Sequence, residues 1–535
     1  MGKANKHETS VNIALTFSGG GYRAAAFHLG TLSFLHHIKT PDDTLLSHVK
    51  VLSTVSGGTI TGLRYMQALA HGEDIDEMTR SIYAFFFDVD MMAMALQQLD
   101  DDYPQEGAST IRTMAHIYDE KLFHQATFAD FIGKMSSLPV KHFSANATDF
   151  SNSIPFRFQA TETIGDSTGV FGNSKHVVPD KAAEKVTLGE AMACSSCFPG
   201  GFEPMVFPDD FALASTEEGK ELKNKYGSFG IMDGGCVDNQ GIEPVLLAEE
   251  RMQKKQNIRG KALDLVIVSD VSSPYMDAYE PYRGSLPSFV RKLTLKRIGN
   301  WMLGATALMA ALLIGSFFLH SHLLVCVLAV LFSIIAILTI AYRYGRSQLA
   351  SFLSGTFISH GVSDLMNLSV GNIVSLVANR ARSLGILVTG VFMKHIRRKE
   401  YSSLYDDGWA TRTITNAIYA LRPDELWAQR QGNQSLPDNL QPSEAMQQVS
   451  VKAAAMGTTL WFTDEDKATQ MPRTIIACGQ FTTCYNLLCY LHDQQKKGST
   501  IPARMALLTE CEEQLLQAWE KFRQNPYWLV DVIIG

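Results

Sequence analysis

Two stretches of this chain argue against an ordinary water-soluble fold for the residues that carry them. Trp301–Leu319 runs 19 positions without a charged side chain, and after His320, Ser321 and His322 a second uncharged, mostly apolar run of 20 extends from Leu323 to Tyr342. At about 1.5 Å per helical residue each run is roughly 30 Å long, the thickness of the hydrocarbon core of a bilayer. The pair predicts a transmembrane helical hairpin over 301–342. Arg291, Lys292, Lys296 and Arg297 precede it, and Arg343 and Arg346 follow it. This basic excess predicts that both ends lie in the cytoplasm, with the tip facing outward. The alternatives are a shallow interfacial hairpin or two helices of a soluble core, but core helices usually keep a polar stripe and neither run has one.

Elsewhere the composition is that of a soluble protein. The chain has 535 residues, 46% apolar and 19% charged, more than one typical domain holds and far from a disordered or fibrous composition. With 47 basic against 54 acidic side chains the net charge is −7, so no overall positive field draws the protein to nucleic acid, and any lipid contact is local. Eight scattered cysteines form no regular framework, as expected of free thiols in a reducing compartment. The opening MGKANKHETSVN has no apolar stretch of signal-peptide length, so the first domain is expected in the cytoplasm.

Val11–Phe17 reads as a buried strand, and Tyr22–Lys39 as a helix that starts directly after a triple glycine. Val49–Thr54 reads as a second strand with a helix from Gly57. A helical stretch over 73–135 follows, and then strands over Lys141–Asp149 and Pro155–Thr161. Gly230–Met232 and Leu263–Ser269 are further short strands, with a helix over Ile242–Lys255 between them. Strands alternating with helices argue an α/β sandwich. The organisation expected is a domain over 11–275, the hairpin over 301–342 (spans 301–319 and 323–342), and a mostly helical region over 343–535. Within the last, Arg380, Arg382, Lys394, Arg397, Arg398 and Lys399 form a basic stretch, read as a solvated helix face or as a contact with the inner leaflet.

Three motifs fall on strand ends. Ser18-Gly19-Gly20-Gly21-Tyr22-Arg23 places glycine amides at a helix N-terminus, where an anion or developing oxyanion is stabilised. It lacks the Gly-Lys-Ser/Thr ending of a nucleotide phosphate loop. Thr54-Val55-Ser56-Gly57-Gly58 has the form of a nucleophile elbow, in which a sharp turn lifts a serine hydroxyl clear of the sheet and small neighbours keep the turn feasible. Asp233-Gly234-Gly235 places a carboxylate on a glycine-flanked loop, able to accept the serine proton if the site desolvates it. Each motif alone is also compatible with an ordinary turn. Their order, oxyanion loop then nucleophile then base, is what joins them.

On these residues the sequence resembles the patatin-like phospholipase family, related to cytosolic phospholipase A2. Gly19–Arg23 stands for its GGGxR loop, Thr54–Gly58 for its G-x-S-x-G elbow, and Asp233–Gly241 (DGGCVDNQG) for its D-G-G/A aspartate. Ala191–Pro199, with Phe202 and Pro204, is similar to its Ala/Ser-rich stretch. The resemblance spans about 11–275 and implies a three-layer α/β/α sandwich with a Ser56–Asp233 dyad and no histidine. It further implies an oxyanion hole from Gly19, Gly20 and Gly21, with Arg23, Gly58, Gly234 and Gly235 in support. No cofactor and no metal are implied. The expected partner is membrane phospholipid or a related acyl-ester lipid, so the chain is read as a membrane-anchored serine lipid acyl hydrolase of the phospholipase A or lysophospholipase type. A catalytically weak membrane scaffold or gated effector, and an acyltransferase using the same acyl-enzyme, are the alternatives. Head group, acyl position and oligomeric state are not legible. Thr54 departs from the first elbow glycine and is expected to crowd the turn, whereas Ser18 before the triple glycine is a neutral departure. Cys194-x-x-Cys197 has no second pair for a zinc site, Asp100–Asp102 reads as a solvated turn, and Tyr83–Leu96 as core or as a lipid-facing lid.

Overall fold

Strand β1 (Ile13–Phe17) forms where the apolar run predicts it and is buried along its whole length, as a strand covered on both faces must be. In the computed structural model the described residues are 11–101, 109–162, 171–256, 260–273, 278–284, 286–319, 322–354, 367–426, 437–496 and 503–535. After β1 come α1 (Gly21–His37), β2 (Val49–Val55), α2 (Gly57–His71), β3 (His142–Asp149), β4 (Ile154–Thr161), β5 (Phe171–Gly172) and β6 (Val177–Val178). Then follow α3 (Leu188–Ser196), β7 (Met205–Phe207), β8 (Phe229–Asp233), α4 (Ile242–Gln256) and β9 (Leu265–Asp270). Together with β10 (Thr413–Ala417) the strands make one mixed sheet in the order β10-β9-β1-β2-β3-β4-β5-β6, with β8 pairing β3 and β7. Its central members β9, β1, β2 and β3 run parallel, and helices pack against it. This is the α/β sandwich expected.

The chain divides into two compact units, one made of residues 1–275 with 391–535 and the other of 276–390. The region after the hairpin is divided between them, with 343–390 in the second unit and 391–535 in the first. Its larger part completes the first unit. Strand β10 (Thr413–Ala417) lies parallel to β9, from Thr413 opposite Val266 to Ala417 opposite Asp270. Helix α9 (Met471–Lys496) is buried against α1. The two helices approach at glycines: an added Cβ at Gly30 would stand 2.1 Å from the Ile476 carbonyl oxygen, and one at Gly479 2.1 Å from that of Phe27. Only hydrogen in place of a side chain permits so close a crossing. The Tyr83–Leu96 stretch is mostly core, with Phe85, Phe86, Met91 and Ala95 buried and Phe86 5.2 Å from Tyr22. Leu96 at its end is exposed. The Asp100–Asp102 side chains lie outside the described residues.

In the second unit α5 (Leu295–Phe317) and α6 (His322–Ser354) form an antiparallel pair. Thr306 and Thr339 hydroxyls meet at 2.9 Å, and Tyr342 OH donates to the Leu295 carbonyl at 2.5 Å. Leu308, Ile314, Ile337 and Ile340 are exposed, so these are not the buried helices of a soluble core. Helices Leu295–Phe317 and His322–Gly345 are long and apolar enough to cross a membrane, as by length and composition is Val370–Leu404, which includes α7 (Val370–Ile386) and α8 (Met393–Leu404). Of the basic stretch, Arg397 is neither solvated nor on lipid: its Nε donates to buried Asp270 at 2.9 Å. Lys394 donates to the Ser273 carbonyl.

Candidate active site

β2 ends at Val55, opposite Asn146 of β3, and Ser56 turns the chain into α2. Its backbone has φ 50° and ψ −127°, a conformation a non-glycine residue holds only where its surroundings impose it. The Ser56 N–H donates to Ser195 Oγ at 2.8 Å, Ser195 Oγ donates to the Asn146 carbonyl at 2.7 Å, and Thr59 Oγ1 lies 2.9 Å from the same Ser195 hydroxyl. An added Cβ would stand 1.9 Å from the Gly21 carbonyl oxygen at Gly57 and 2.7 Å from that of Phe17 at Gly58. Thr54 fits because α2 makes room: a Cβ at Gly62 would lie 2.3 Å from Thr54 Cγ2. The Thr54 hydroxyl donates to the Ser144 carbonyl at 3.3 Å and accepts from Thr59 at 3.1 Å. The crowding expected at Thr54 is absorbed in the second turn of α2.

Strand β3 aligns the serine with the aspartate. One of its edges pairs with β4 along the whole length, while the other pairs with β2 up to Asn146 and with antiparallel β8 from Ala147 onward. β2 and β8 thus meet end to end on one edge, Val55 opposite Asn146 and Asp233 opposite Ala147. The Asp233 N–H donates to the Cys197 carbonyl at 3.0 Å, and its own carbonyl accepts from Thr148 Oγ1 at 2.8 Å. Its Oδ1 accepts the Gly235 N–H at 2.7 Å. Burial pushes that carboxyl up to about 6, against the opposing pull of the Gly235 amide and of the Ser56 side chain. At Gly234 a Cβ would stand 2.3 Å from the Asn146 carbonyl oxygen, so the turn at Asp233 depends on its glycine.

The glycine loop lies against this pair, since a Cβ on Gly19 would stand 3.2 Å from Ser56 Cβ. The Gly19 N–H is already taken, donating to the Asn239 carbonyl at 3.0 Å. Among the described residues the amides of Gly20, Gly21 and Gly57 have no backbone acceptor, which leaves them able to donate to a bound group. Gly20 and Gly21 take φ 145° and 62°, open to glycine and costly for other residues. Arg23 braces the loop from behind, giving NH1 to the Ala454 and Met456 carbonyls at 3.3 and 2.5 Å and NH2 to that of Val271 at 3.2 Å. Burial lowers its guanidinium to about 10, still cationic at neutral pH. The Tyr22 N–H donates to the Thr459 carbonyl at 2.7 Å.

The structure thus brings Ser56, Asp233, Gly20 and Gly21 together, and sets Gly19, Arg23, Gly58, Gly234 and Gly235 in the backbone around them. Sequence reasoning missed the parts played by Ser195, Asn239 and the segment 454–459. The first two stand inside runs already singled out, whereas 454–459 carries no motif. Cys194 and Cys197 are buried beside the site, and the Cys197 thiol donates to the Glu203 carbonyl at 2.7 Å. One family model, described as patatin-like phospholipase, matches residues 15–246, and no curated protein matches the chain.

Proposed function

With residues 15–246 belonging to the patatin-like phospholipase family, whose members are lipid acyl hydrolases, we propose that this chain is a membrane-anchored serine hydrolase of acyl-ester lipids working through Ser56 and Asp233. The observation that carries the reading is Ser56 held on a strained turn at the end of β2, where β2 and β8 meet on one edge of β3 and set it beside the buried carboxyl of Asp233. Asp233 takes the hydroxyl proton as Ser56 Oγ attacks the ester carbonyl, and the proton passes on to the departing alcohol. The free amides of Gly20, Gly21 and Gly57 stabilise the tetrahedral oxyanion. Water, deprotonated by Asp233, then releases the fatty acid and restores Ser56. No histidine takes part.

The apolar pair α5 and α6 anchors the chain in the cytoplasmic membrane, and the basic residues around it hold the hydrolase domain on the cytoplasmic side. Its substrate is then phospholipid, or a related acyl ester, of the inner leaflet, captured by lateral diffusion. The test is labelling of the purified full chain with a fluorophosphonate probe, followed by mapping of the modified residue. Modification at Ser56 is the expected result. Modification at Ser53, or none in folded protein, overturns the reading.

A further inference from the structure

Among the described residues three helices are long and apolar enough to cross a membrane, yet the sheet permits only an even number of crossings. β9 and β10 pair over five residues, and residues 276–390 separate them. A sheet cannot be divided by a bilayer, so the chain must return to the side it left. Helices α5 and α6 account for two crossings, and a third through 370–404 would strand β10 on the wrong side. The end of that segment is occupied in any case, since Arg397 of α8 is paired with Asp270.

The start of α7 is fixed beside the start of α5. Thr294 caps α5 and Ser369 caps α7, the two caps form a β-bridge, and the Val370 N–H donates to the Leu293 carbonyl at 2.7 Å. A Cβ on Gly371 would stand 2.2 Å from Arg291 Cγ. Where α5 enters the bilayer, α7 therefore begins at the surface. Its sequence suits that place. Val370, Ile373, Val374, Val377, Ala381 and Leu384 follow helical spacing along one stripe, while Asn372, Ser375, Asn379, Arg382 and Ser383 lie opposite and Arg380 borders the stripe. Val377 and Leu384 are exposed. Tyr279 and Tyr282 attach to its polar side, the Tyr282 N–H donating to Asn379 Oδ1 at 2.6 Å, and are themselves half exposed. Aromatic rings of this kind belong at the headgroup level. Residues 281–390 hold nine basic side chains and one acidic, in a chain whose net charge is −7.

We propose that α7 is a surface-lying helix that sinks its Val377 and Leu384 face among the acyl chains and sets Arg380, at the border of that face, on the phosphates of anionic lipid. The inference rests on reading α5 and α6 as membrane-embedded. The experiment places the photo-crosslinking residue benzoylphenylalanine singly at Val377, Leu384, Ser375, Ser383 or Ile334 of the full chain in vesicles of phosphatidylglycerol or phosphatidylcholine, and scores lipid captured. Capture is expected at Val377 and Leu384 and at most background at Ser375 and Ser383, with Ile334 of α6 positive in both vesicles. Capture at Leu384 should favour phosphatidylglycerol by on the order of fivefold, and Arg380→Gln should remove the preference. Equal capture on both faces means a crossing or a fully immersed helix, and none on either face means cover by protein; both overturn the proposal. Equal capture in the two lipids overturns the headgroup contact. A negative Ile334 removes the embedded pair itself, and would be recognised apart from a failure confined to α7.

Discussion

At the scale of single residues, the site sets stability against chemistry at Asp233. Its carboxyl titrates at about 6 in the folded chain, above the ordinary 3.8 of an exposed aspartate, so the native state binds the proton more tightly than the unfolded state does. The favourable contribution of that proton is complete below pH 3.8 and is lost as pH rises through 6, which leaves the ionised form costing about 3 kcal/mol at pH 8. Asp233→Asn should therefore abolish ester turnover yet raise the apparent Tm at pH 8, with the gain gone at pH 4. An unchanged Tm at pH 8 would mean that the carboxylate is solvated. In the native chain kcat/KM on a soluble short-chain ester should fall about tenfold per pH unit well below 6, since only the ionised carboxylate accepts the Ser56 proton. Ser56→Ala should be equally inactive, and the double variant with Asp233→Asn no worse than either single one, because the two act as a unit. A second residue-scale prediction tests how Thr54 is accommodated. Alanine for glycine within a helix ordinarily gains up to about 1 kcal/mol, but Gly62→Ala drives a methyl into Thr54 Cγ2 and should instead cost about 2 kcal/mol. Thr54→Gly should rescue it, and denaturation of the four proteins of that cycle reads the coupling directly. Additive effects would show that the two side chains do not share the space.

At the scale of elements, what was legible followed from local pattern. β1, β2, β8 and β9 lie within about two residues of where apolar runs ending in glycine or serine put them, and the three motifs lie on strand ends because glycine punctuates those ends. β5, β6 and β7 span two or three residues each, too few to make a periodicity. β10 (TITNA) was missed for a different reason: its partner β9 is more than 140 residues away, and nothing in five residues announces a parallel edge strand. The roles of Ser195 and Asn239 were hidden in the same way, since both depend on register between distant strands. Helix α9 was legible as a helix but not as half of the α1 packing, which rests on paired glycines at 30 and 479. That crossing yields a prediction for the element as a whole. Gly479→Val places a branched side chain against the Phe27 carbonyl and should cost about 3 kcal/mol, visible as early melting and as protease cleavage in 437–535. Native stability in this variant would mean that α9 is an adjustable appendage. Since Arg23 also holds the carbonyls of Ala454 and Met456, the same variant should loosen the glycine loop and lower esterase activity further than its loss of folded protein explains.

At the scale of the whole molecule, the chain interrupts one sheet with a membrane-seeking insertion, and this makes topology and fold testable independently. Because β10 must reach β9, reporters fused before Met1 and after Gly535 should read the same side of the membrane, whichever side that is; opposite readings would contradict the sheet and not merely the hairpin. The side proposed from the basic flanks of α5 and α6 is the cytoplasmic one. Tyr342 OH already reaches the Leu295 carbonyl, so the two ends of the hairpin are close, and a short Gly/Ser linker in place of Trp301–Tyr342 spans them without strain. The sheet, the dyad and α9 all lie outside the excised residues, and the shortened chain should therefore fold, leave the membrane pellet in alkaline carbonate and keep its turnover of a soluble ester. Most activity on bilayer phospholipid should disappear with the loss of lateral capture. What remains on anionic vesicles is then carried by α7 alone, through Arg380 and a narrow apolar stripe, and should be released by salt because surface charge contacts are screened within about 8 Å at physiological ionic strength. A full-length chain that washes off in carbonate would identify α5 and α6 as a peripheral hairpin, and would return the choice of lipid substrate to the family match over residues 15–246 alone.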